Sequence, residues 1–337
     1  MLIGVYSQPL GSFAKWKGRG VNCLLQSESE GGHVTQAQWR AAAAAAGLPY
    51  YDRPGVSPED DARDPFLLGF MMEDEPDRRV ILPAVNAIKV ATTNGDQAEV
   101  ARQQKIIDDY VASYTTLANR CRATGKPVFG NLSGPEVTGG YPWYAGQGQK
   151  PLMPALTEIS FDWYPKNADD QRYGNDLLDR AFTLLKKWAG ELNLTAVAWW
   201  AILECSFQNK GNGKGPTLAD IDEQVDICVR NGVKGICWFP QRIGGGFLYD
   251  NTTPEQAQKI TDVAARLNPP PVDPLEDLRR RVLTLEQGVS SLGQRLGALE
   301  QRVASLEAQA KAIDANTVVG VQVQYKGSNA ASLPGQT

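Results

Sequence analysis

Eight short apolar runs, each separated from the next by a longer polar stretch, occupy residues 1–268, and this alternation is what most constrains the fold. The runs cover residues 2–7, 21–25, 49–52, 66–73, 127–133, 158–164, 196–203 and 233–239. Amphipathic, helix-like segments follow many of them, at 34–48, 96–125, 175–192, 218–232 and 253–267. A strand followed by a helix, repeated along a chain, indicates parallel strands with crossover helices. Eight such strands predict a (β/α)8 TIM barrel over residues 1–268, with an open, doubly wound sheet as the alternative.

A different pattern begins after Asn268, where consecutive prolines predict a stiff linker over residues 269–274. Every a and d position of the heptads that follow is apolar, which predicts a coiled coil over residues 275–313. Arginine recurs at position g and glutamate at the e position five residues later, a pairing that favours parallel helices. These residues are Arg281, Arg295 and Arg302 at g, and Glu286, Glu300 and Glu307 at e. Residues 314–337 are expected to form a short strand-like segment and a flexible tail.

Composition and charge exclude several classes of partner. The formal net charge is −4, with 34 basic and 38 acidic residues, and this balance argues against a nucleic-acid partner. No run of about 18 apolar residues occurs, so we expect no insertion into a membrane. The amino-terminal residues lack the basic and long apolar regions of a signal peptide, and export by the standard route is not expected. Five scattered cysteines and one histidine, His33, predict neither a disulfide framework nor a metal site, and no cofactor is expected.

In a barrel of this kind the functional side chains lie at the carboxyl ends of the strands, and few residues qualify. The acidic, aromatic and basic candidates at these ends are Glu73, Glu75, Asp162, Tyr164, Glu204, Trp238 and Arg242. Two carboxyl groups across a pocket can divide acid–base and nucleophilic work, because their surroundings can move their pKa values apart. Glu75 and Glu204 are the candidate catalytic pair. Trp143, in a glycine-rich loop, is a further candidate because its ring offers a flat apolar face to a sugar.

A glutamate before proline after strand four, with a second glutamate after strand seven, resembles the clan A glycoside hydrolases. Over residues 1–268 the resemblance implies that Glu75 is the acid/base and Glu204 the nucleophile of a retaining mechanism. It also implies that Tyr164 supports the nucleophile through a hydrogen bond and that Trp238 lines a sugar subsite. Asp74 stands where the family usually has asparagine. Glu73 is an alternative acid, because Glu73 and Glu75 share a face if the strand continues.

A barrel joined by a stiff linker to a parallel coiled coil would present several identical sites together, which raises avidity. This layout resembles bacteriophage tail fibre and tailspike proteins. The resemblance implies a homotrimer in the virion tail, assembled in the host cytoplasm, that attaches to cell-surface carbohydrate and contacts other tail proteins. Valine at half of the a positions with leucine at d favours a dimer by packing alone. Two alternatives are a purely structural tail component with a degenerate barrel and a cellular oligomeric glycosidase.

Overall fold

The computed structural model describes residues 1–25, 34–133, 148–164, 175–206, 215–242, 247–269 and 274–328. The chain divides into two compact units, Met1–Pro269 and Pro270–Thr337. Trp143 and residues 270–273 of the proline-rich segment lie outside the described residues. In the ranges that the structure does describe, no helix combines the length and the apolar character needed to cross a membrane.

All eight predicted strands are present, and they close into one parallel barrel in sequence order, with β8 returning to pair with β1. The strands are β1 Leu2–Tyr6, β2 Cys23–Leu25, β3 Tyr50–Asp52, β4 Leu67–Met71, β5 Val128–Leu132, β6 Glu158–Trp163, β7 Ala198–Glu204 and β8 Gly235–Phe239. The (β/α)8 barrel is therefore confirmed. The open doubly wound sheet is excluded by the β1–β8 ladder, which pairs four residues of each strand.

Helices follow the strands around the outside of the barrel. They are α1 Phe13–Gly18, α2 Gln36–Ala46, α3 Pro58–Asp61, α4 Leu82–Thr93, α5 Gln97–Ala123, α6 Asp176–Glu191, α7 Leu218–Arg230 and α8 Pro254–Leu267. Thr35, Thr217 and Thr253 begin α2, α7 and α8 with capping boxes, in which each threonine hydroxyl and the third helical side chain satisfy backbone donors. Between β5 and β6 the only helical element among the described residues is a 3-10 turn, Met153–Ala155.

Side chains of each strand alternate between the barrel lumen and the layer under the helices. In β7, Trp200 and Ile202 belong to the lumen cluster, whereas Ala201 and Leu203 pack with the helices. The lumen cluster is Tyr6, Cys23, Leu25, Tyr51, Met71, Phe129, Trp200, Ile202, Cys237 and Phe239. This alternation decides which residues at the strand ends can reach the mouth of the barrel.

The amino-terminal end of the lumen is closed by a buried carboxylate. Glu158, the first residue of β6, is 2% exposed and accepts hydrogen bonds from Trp200 Nε1 at 2.7 Å and the Tyr51 hydroxyl at 3.0 Å. It also forms an ion pair with Lys234, which precedes β8. A buried charge is tolerated only when it is paired and hydrogen-bonded, and Glu158 meets both conditions. Because this network fills the amino-terminal end of the lumen, a site is expected at the carboxyl ends of the strands.

Gly235 is the place where this lumen packing can be tested. A Cβ added to Gly235 would lie 2.4 Å from the Trp200 ring, which is fully buried and held by Glu158. We expect Gly235→Ala to lower the free energy of unfolding by about 1–3 kcal/mol in chemical denaturation, because an overpacked core must shift. Gly190→Ala, on the exposed side of α6 with no atom within 4 Å, is the control and should lose no stability. Equal unfolding free energies in the native chain and Gly235→Ala would contradict the packing.

The second unit contains a single long helix, α9, which spans Pro274–Ser328. The helix continues through residues 314–328. The prediction of a strand-like segment there is wrong, because the backbone of these residues forms helical hydrogen bonds within α9. Apolar a and d side chains of α9 are exposed by 44–69%: Leu278, Val282, Leu285, Val289, Leu292, Leu296, Leu299, Val303, Leu306 and Ile313. The parallel coiled coil over 275–313 stays a prediction, and these exposed side chains are what it would bury.

Candidate functional site at the carboxyl ends of the strands

Three carboxyl groups meet around one asparagine at the mouth of the barrel. Asn131, on the lumen face of β5, donates from Nδ2 to Asp74 Oδ1 at 2.9 Å and to Asp162 Oδ1 at 3.0 Å. Glu75 is hydrogen-bonded to Asp162, and its backbone N–H donates to the Asn131 carbonyl at 3.0 Å. Asp74 and Glu75 follow β4, and Asp162 lies on β6. Residues from three neighbouring strands therefore form one acidic cluster.

Burial and mutual repulsion raise the pKa values of two members of this cluster. Desolvation, followed by the charges of Glu75 and Asp74, raises the pKa of Asp162 well above its ordinary value. Desolvation also raises the pKa of Asp74, although the Asn131 amide, the Tyr6 hydroxyl and Arg79 favour its charged form. Like charges at such short range cannot all be ionised together in a low-dielectric site. The mouth therefore combines two carboxyl groups of raised pKa with a further acidic side chain, an arrangement suited to acid–base chemistry.

The Glu75 backbone is strained. Its φ is +44°, in the left-handed region that glycine favours, and Ser7, directly after β1, has φ +39°. Such conformations cost on the order of 1–3 kcal/mol and persist where surrounding contacts impose them. Here the bond from Glu75 N–H to β5 holds the backbone in place. Both strained residues lie at the same rim of the barrel, where the acidic cluster is.

Glu204 ends β7 on the lumen side, two residues beyond the lumen residue Ile202, and is fully buried. In the β6–β7 ladder Asp162 pairs with Ile202, so Glu204 and Tyr164 end neighbouring strands at the same level. The Tyr164 hydroxyl is hydrogen-bonded to Asp162, and the bond to Glu204 that the resemblance implies stays a prediction. Burial and the Asp162 charge raise the pKa of Tyr164. Glu75, Asp162, Tyr164 and Glu204 thus share the lumen at the strand ends.

Two other candidates lie away from the lumen. Glu73 is exposed and accepts a hydrogen bond at 2.6 Å from the Tyr110 hydroxyl of the outer helix α5, because β4 ends at Met71 and the alternation that would align Glu73 with Glu75 does not continue. Trp238 is fully buried in the layer under the helices, since Cys237 and Phe239 take the lumen positions of β8. The expectation that Trp238 lines a sugar subsite is therefore wrong.

Arg242 follows β8 and forms an isolated antiparallel bridge with Leu248. Its backbone N–H and carbonyl exchange hydrogen bonds of 2.9 Å with Leu248. Next to this bridge, Gln8 Nε2, just after β1, donates to the Tyr249 carbonyl at 3.0 Å. Arg242 is half-buried three residues after β8 ends, and its role in binding stays a prediction.

Sequence reasoning missed the residues that organise the mouth. Asn131 interrupts an otherwise apolar strand two residues after Phe129, and this alternation was the signal that could have revealed it. Phe239 packs against Tyr164 and Tyr6, with ring centroids 4.8 and 5.8 Å apart. These three rings form an aromatic wall beside the carboxyl cluster. In the described ranges no group of three or more histidine, cysteine, aspartate or glutamate side chains is arranged to hold a metal ion.

The raised pKa of Asp162 has a consequence for stability. The unfolded chain loses the Asp162 proton near pH 4, whereas the folded chain keeps it, so the contribution of this group to stability falls as pH rises above about 4. Asn mimics protonated aspartate. We expect Asp162→Asn to raise Tm at pH 7 by about 2–4 °C, the shift that about 1 kcal/mol produces in a domain of this size class. The difference should shrink towards pH 3.5.

Thermal unfolding at pH 3.5 and pH 7 measures this effect. Asp109→Asn is the matched control, because Asp109 is exposed on α5 and forms only a surface ion pair with Lys105 in the described contacts. Its Tm should follow that of the native chain at both values. An Asp162→Asn protein that is less stable than the native chain at pH 7 would show that Asp162 is ionised in the fold.

The scan against protein-family models matches none of them, and no curated protein matches the sequence. Solved structures with a similar barrel include a beta-glucosidase, 14% identical, with a TM-score of 0.49 over 78% of this chain and 88% of that chain. A chitinase from Chromobacterium violaceum ATCC 12472 is 8% identical, with a TM-score of 0.44 over 79% and 99% of the two chains. An endo-1,4-beta-D-mannanase from Thermotoga petrophila RKU-1 is 10% identical, with a TM-score of 0.43 over 80% and 99%. The similarity is one of fold.

Proposed function

We propose that the barrel binds a cell-surface glycan at the carboxyl ends of its strands and hydrolyses a glycosidic bond there. We further propose that the chain is a bacteriophage tail protein whose C-terminal helix assembles three copies. The observation that carries the first proposal is the cluster of Asp74, Glu75 and Asp162 around Asn131. It supplies a proton-holding carboxyl group in a lumen that also contains the buried carboxyl group of Glu204.

Glycoside hydrolysis needs one carboxylic acid and one carboxylate on opposite sides of the bond that breaks. In this proposal Glu75 gives a proton to the glycosidic oxygen as the leaving group departs, and that proton reaches Glu75 from Asp162 through the hydrogen bond between them. The Glu204 carboxylate attacks the anomeric carbon and forms a glycosyl ester. Water then attacks the same carbon, Glu75 takes the proton from that water, and Glu204 leaves as a carboxylate. The configuration at the anomeric carbon is retained.

Aromatic side chains support a sugar as the ligand. Tyr6, Tyr164 and Phe239 form a wall beside the acidic cluster, and apolar ring faces are suited to the flat face of a pyranose. Phe247, next to Leu248 after β8, is 51% exposed and packs edge-on against Tyr249 with ring centroids 4.6 Å apart. An aromatic side chain braced in this way gives a rigid surface outside the mouth. A glycan that extends beyond the lumen would contact it.

The tail assignment rests on the second unit. A helix with apolar a and d residues exposed along 278–313 needs partners to bury them, and the arginine–glutamate pattern at g and e favours parallel copies. Parallel copies would carry several barrels together, which multiplies a weak affinity for a repetitive surface. Such avidity serves attachment to a host cell more than the turnover of a small metabolite.

Incubation of the full-length protein with bacterial envelope polysaccharide tests the function. We expect release of new reducing ends, detected by a colorimetric assay and by mass spectrometry of the products. Retention of the protein on the polysaccharide without release would support a binding barrel in a structural tail component and overturn hydrolysis. The absence of both retention and release across envelopes from several bacterial classes would overturn the glycan proposal itself.

A further inference from the structure

We propose that Asn131 is the positioning residue of this site, holding Asp74, Glu75 and Asp162 in one arrangement so that they act as a single proton-storing group. The inference deepens the proposed function and rests on it for the reaction concerned. The hydrogen bonds of Asn131 are observed in the structure and do not depend on the proposed reaction. One residue bonds to all three acidic residues, to two through its side chain and to the third through its backbone.

Both hydrogen-bond donors of the Asn131 side chain have acceptors. Its Nδ2 carries two hydrogens, and these bond to Asp74 at 2.9 Å and Asp162 at 3.0 Å. Among the described residues the Oδ1 atom has no hydrogen-bond partner, so the two carboxyl groups alone set the orientation of the amide. The side chain is 1% exposed, and water does not compete for these donors.

The position of β5 explains why this task falls to Asn131. In the barrel β5 pairs with β4 on one side and with β6 on the other. A lumen side chain at the end of β5 is therefore the one that can span Asp74, after β4, and Asp162, on β6. Aspartate at this position has no donor when it is ionised, and leucine has none at all. An amide of this length satisfies both neighbours at once.

The backbone of the same residue fixes the third member. Glu75 adopts φ +44°, and its N–H donates to the Asn131 carbonyl at 3.0 Å. This bond turns the chain after β4 so that Glu75 meets Asp162. Every residue at position 131 has a backbone carbonyl. Substitution of Asn131 therefore removes the side-chain hydrogen bonds to Asp74 and Asp162 and keeps the acceptor for the Glu75 N–H.

Loss of the amide donors changes the proton affinity of the cluster. The Asn131 hydrogen bonds favour the charged forms of Asp74 and Asp162 and oppose the effect of burial on both pKa values. Without them the two carboxyl groups should take up protons at higher pH. The other titratable or charged groups that act on Asp74 and Asp162 are Tyr6, Glu75, Arg79 and Tyr164. None of these is altered by substitution at position 131.

The experiment is the pH profile of glycan hydrolysis by the full-length Asn131→Leu protein. We expect kcat to fall at least about 10-fold and the alkaline limb of kcat/KM to move up by about one pH unit, a shift that corresponds to about 1.4 kcal/mol. Asn175→Leu is the matched control. Asn175 also donates from Nδ2 to two carboxylates, Asp220 at 3.3 Å and Glu223 at 2.7 Å, but it lies at the start of α6 outside the lumen. Its profile should equal that of the native chain.

A second readout keeps this test separate from the proposed function. Carbon-13 NMR of the aspartate carboxyl groups follows the titration of Asp74 and Asp162 directly, and both should titrate at higher pH in Asn131→Leu even if no glycan is cleaved. Asn131→Ser, whose side chain is too short to reach both neighbours, gives the same expectation if the leucine variant does not fold. Carboxyl titrations and pH profiles that match the native chain in these variants would overturn the role of Asn131.

Discussion

The Glu204→Gln protein is expected to lose glycan hydrolysis by on the order of 10³-fold or more in kcat, the scale on which loss of a catalytic group acts. Glutamine has nearly the same shape as glutamate, but its neutral amide cannot form the glycosyl ester. Glu204 is the last residue of β7. This strand pairs with β8 from Trp200 to Glu204 and also with both ends of β6, so it should keep its position in the variant. A buried neutral side chain also needs less solvation than a carboxylate.

Reducing-end release from envelope polysaccharide measures this loss, with circular dichroism to show that the fold is retained. Glu59→Gln is the matched control, because Glu59 is an exposed residue of α3 that pairs with Arg120 on the surface. It should keep full activity. Turnover by Glu204→Gln equal to that of the native chain would remove Glu204 from the mechanism. Retained glycan binding with lost turnover would separate a catalytic role from a binding one.

Truncation after Asn268 is expected to convert a trimer into a monomer. Multi-angle light scattering of the full-length protein should give about three times the 36.7 kDa of one chain, whereas the truncated protein should have the mass of a single barrel. The physical reason is that α9 exposes a continuous apolar seam, with Leu285 and Leu292 exposed by 69% and 63%. Gly288, Gly293 and Gly297 each cost the helix about 1 kcal/mol relative to alanine, so partners must supply its stability.

Point substitutions refine this test in the full-length protein. Leu292→Lys with Leu299→Lys places two charges at d positions and should dissociate the assembly. Gln294→Lys with Gln301→Lys adds the same charge at f positions, which face solvent in a coiled coil, and should leave the mass unchanged. A full-length protein with the mass of one chain would overturn self-association through 275–313. A mass of two chains would favour the dimer that valine at a and leucine at d predict by packing.

Local patterns in the sequence were sufficient for the elements of the fold. Each of the eight apolar runs forms a strand. Short apolar runs bounded by polar segments are typical of buried strands. The helix α4, Leu82–Thr93, was missed, since its apolar residues lack a clear helical stripe. The segment after residue 313, predicted as a strand, is helical. Extension of an existing helix adds one hydrogen bond per residue without a new nucleation cost, and this outweighs the strand propensity of a short segment.

The residues of the site were only partly accessible to the same reasoning. Chain order alone places Glu75, Asp162, Tyr164 and Glu204 at strand ends, and the barrel brings them to one mouth. Which neighbouring residue points inward depends on where each strand stops, and β4 stops at Met71, before Glu73. For β8 the register places Phe239 in the lumen and Trp238 outside it. A shift of one residue reverses such an assignment.

The sequence by itself determined the eight strands, their parallel order and the apolar seam of the last helix, because these depend on periodicities within short segments. Only the tertiary structure decided that Asn131 lies between Asp74 and Asp162 and that Glu75 bonds to Asp162. Those contacts join residues from three strands, and they exist because barrel closure sets the stagger of β4, β5 and β6. The raised pKa values of Asp74 and Asp162 follow from the same closure, since burial and neighbouring charge act through space and not along the chain.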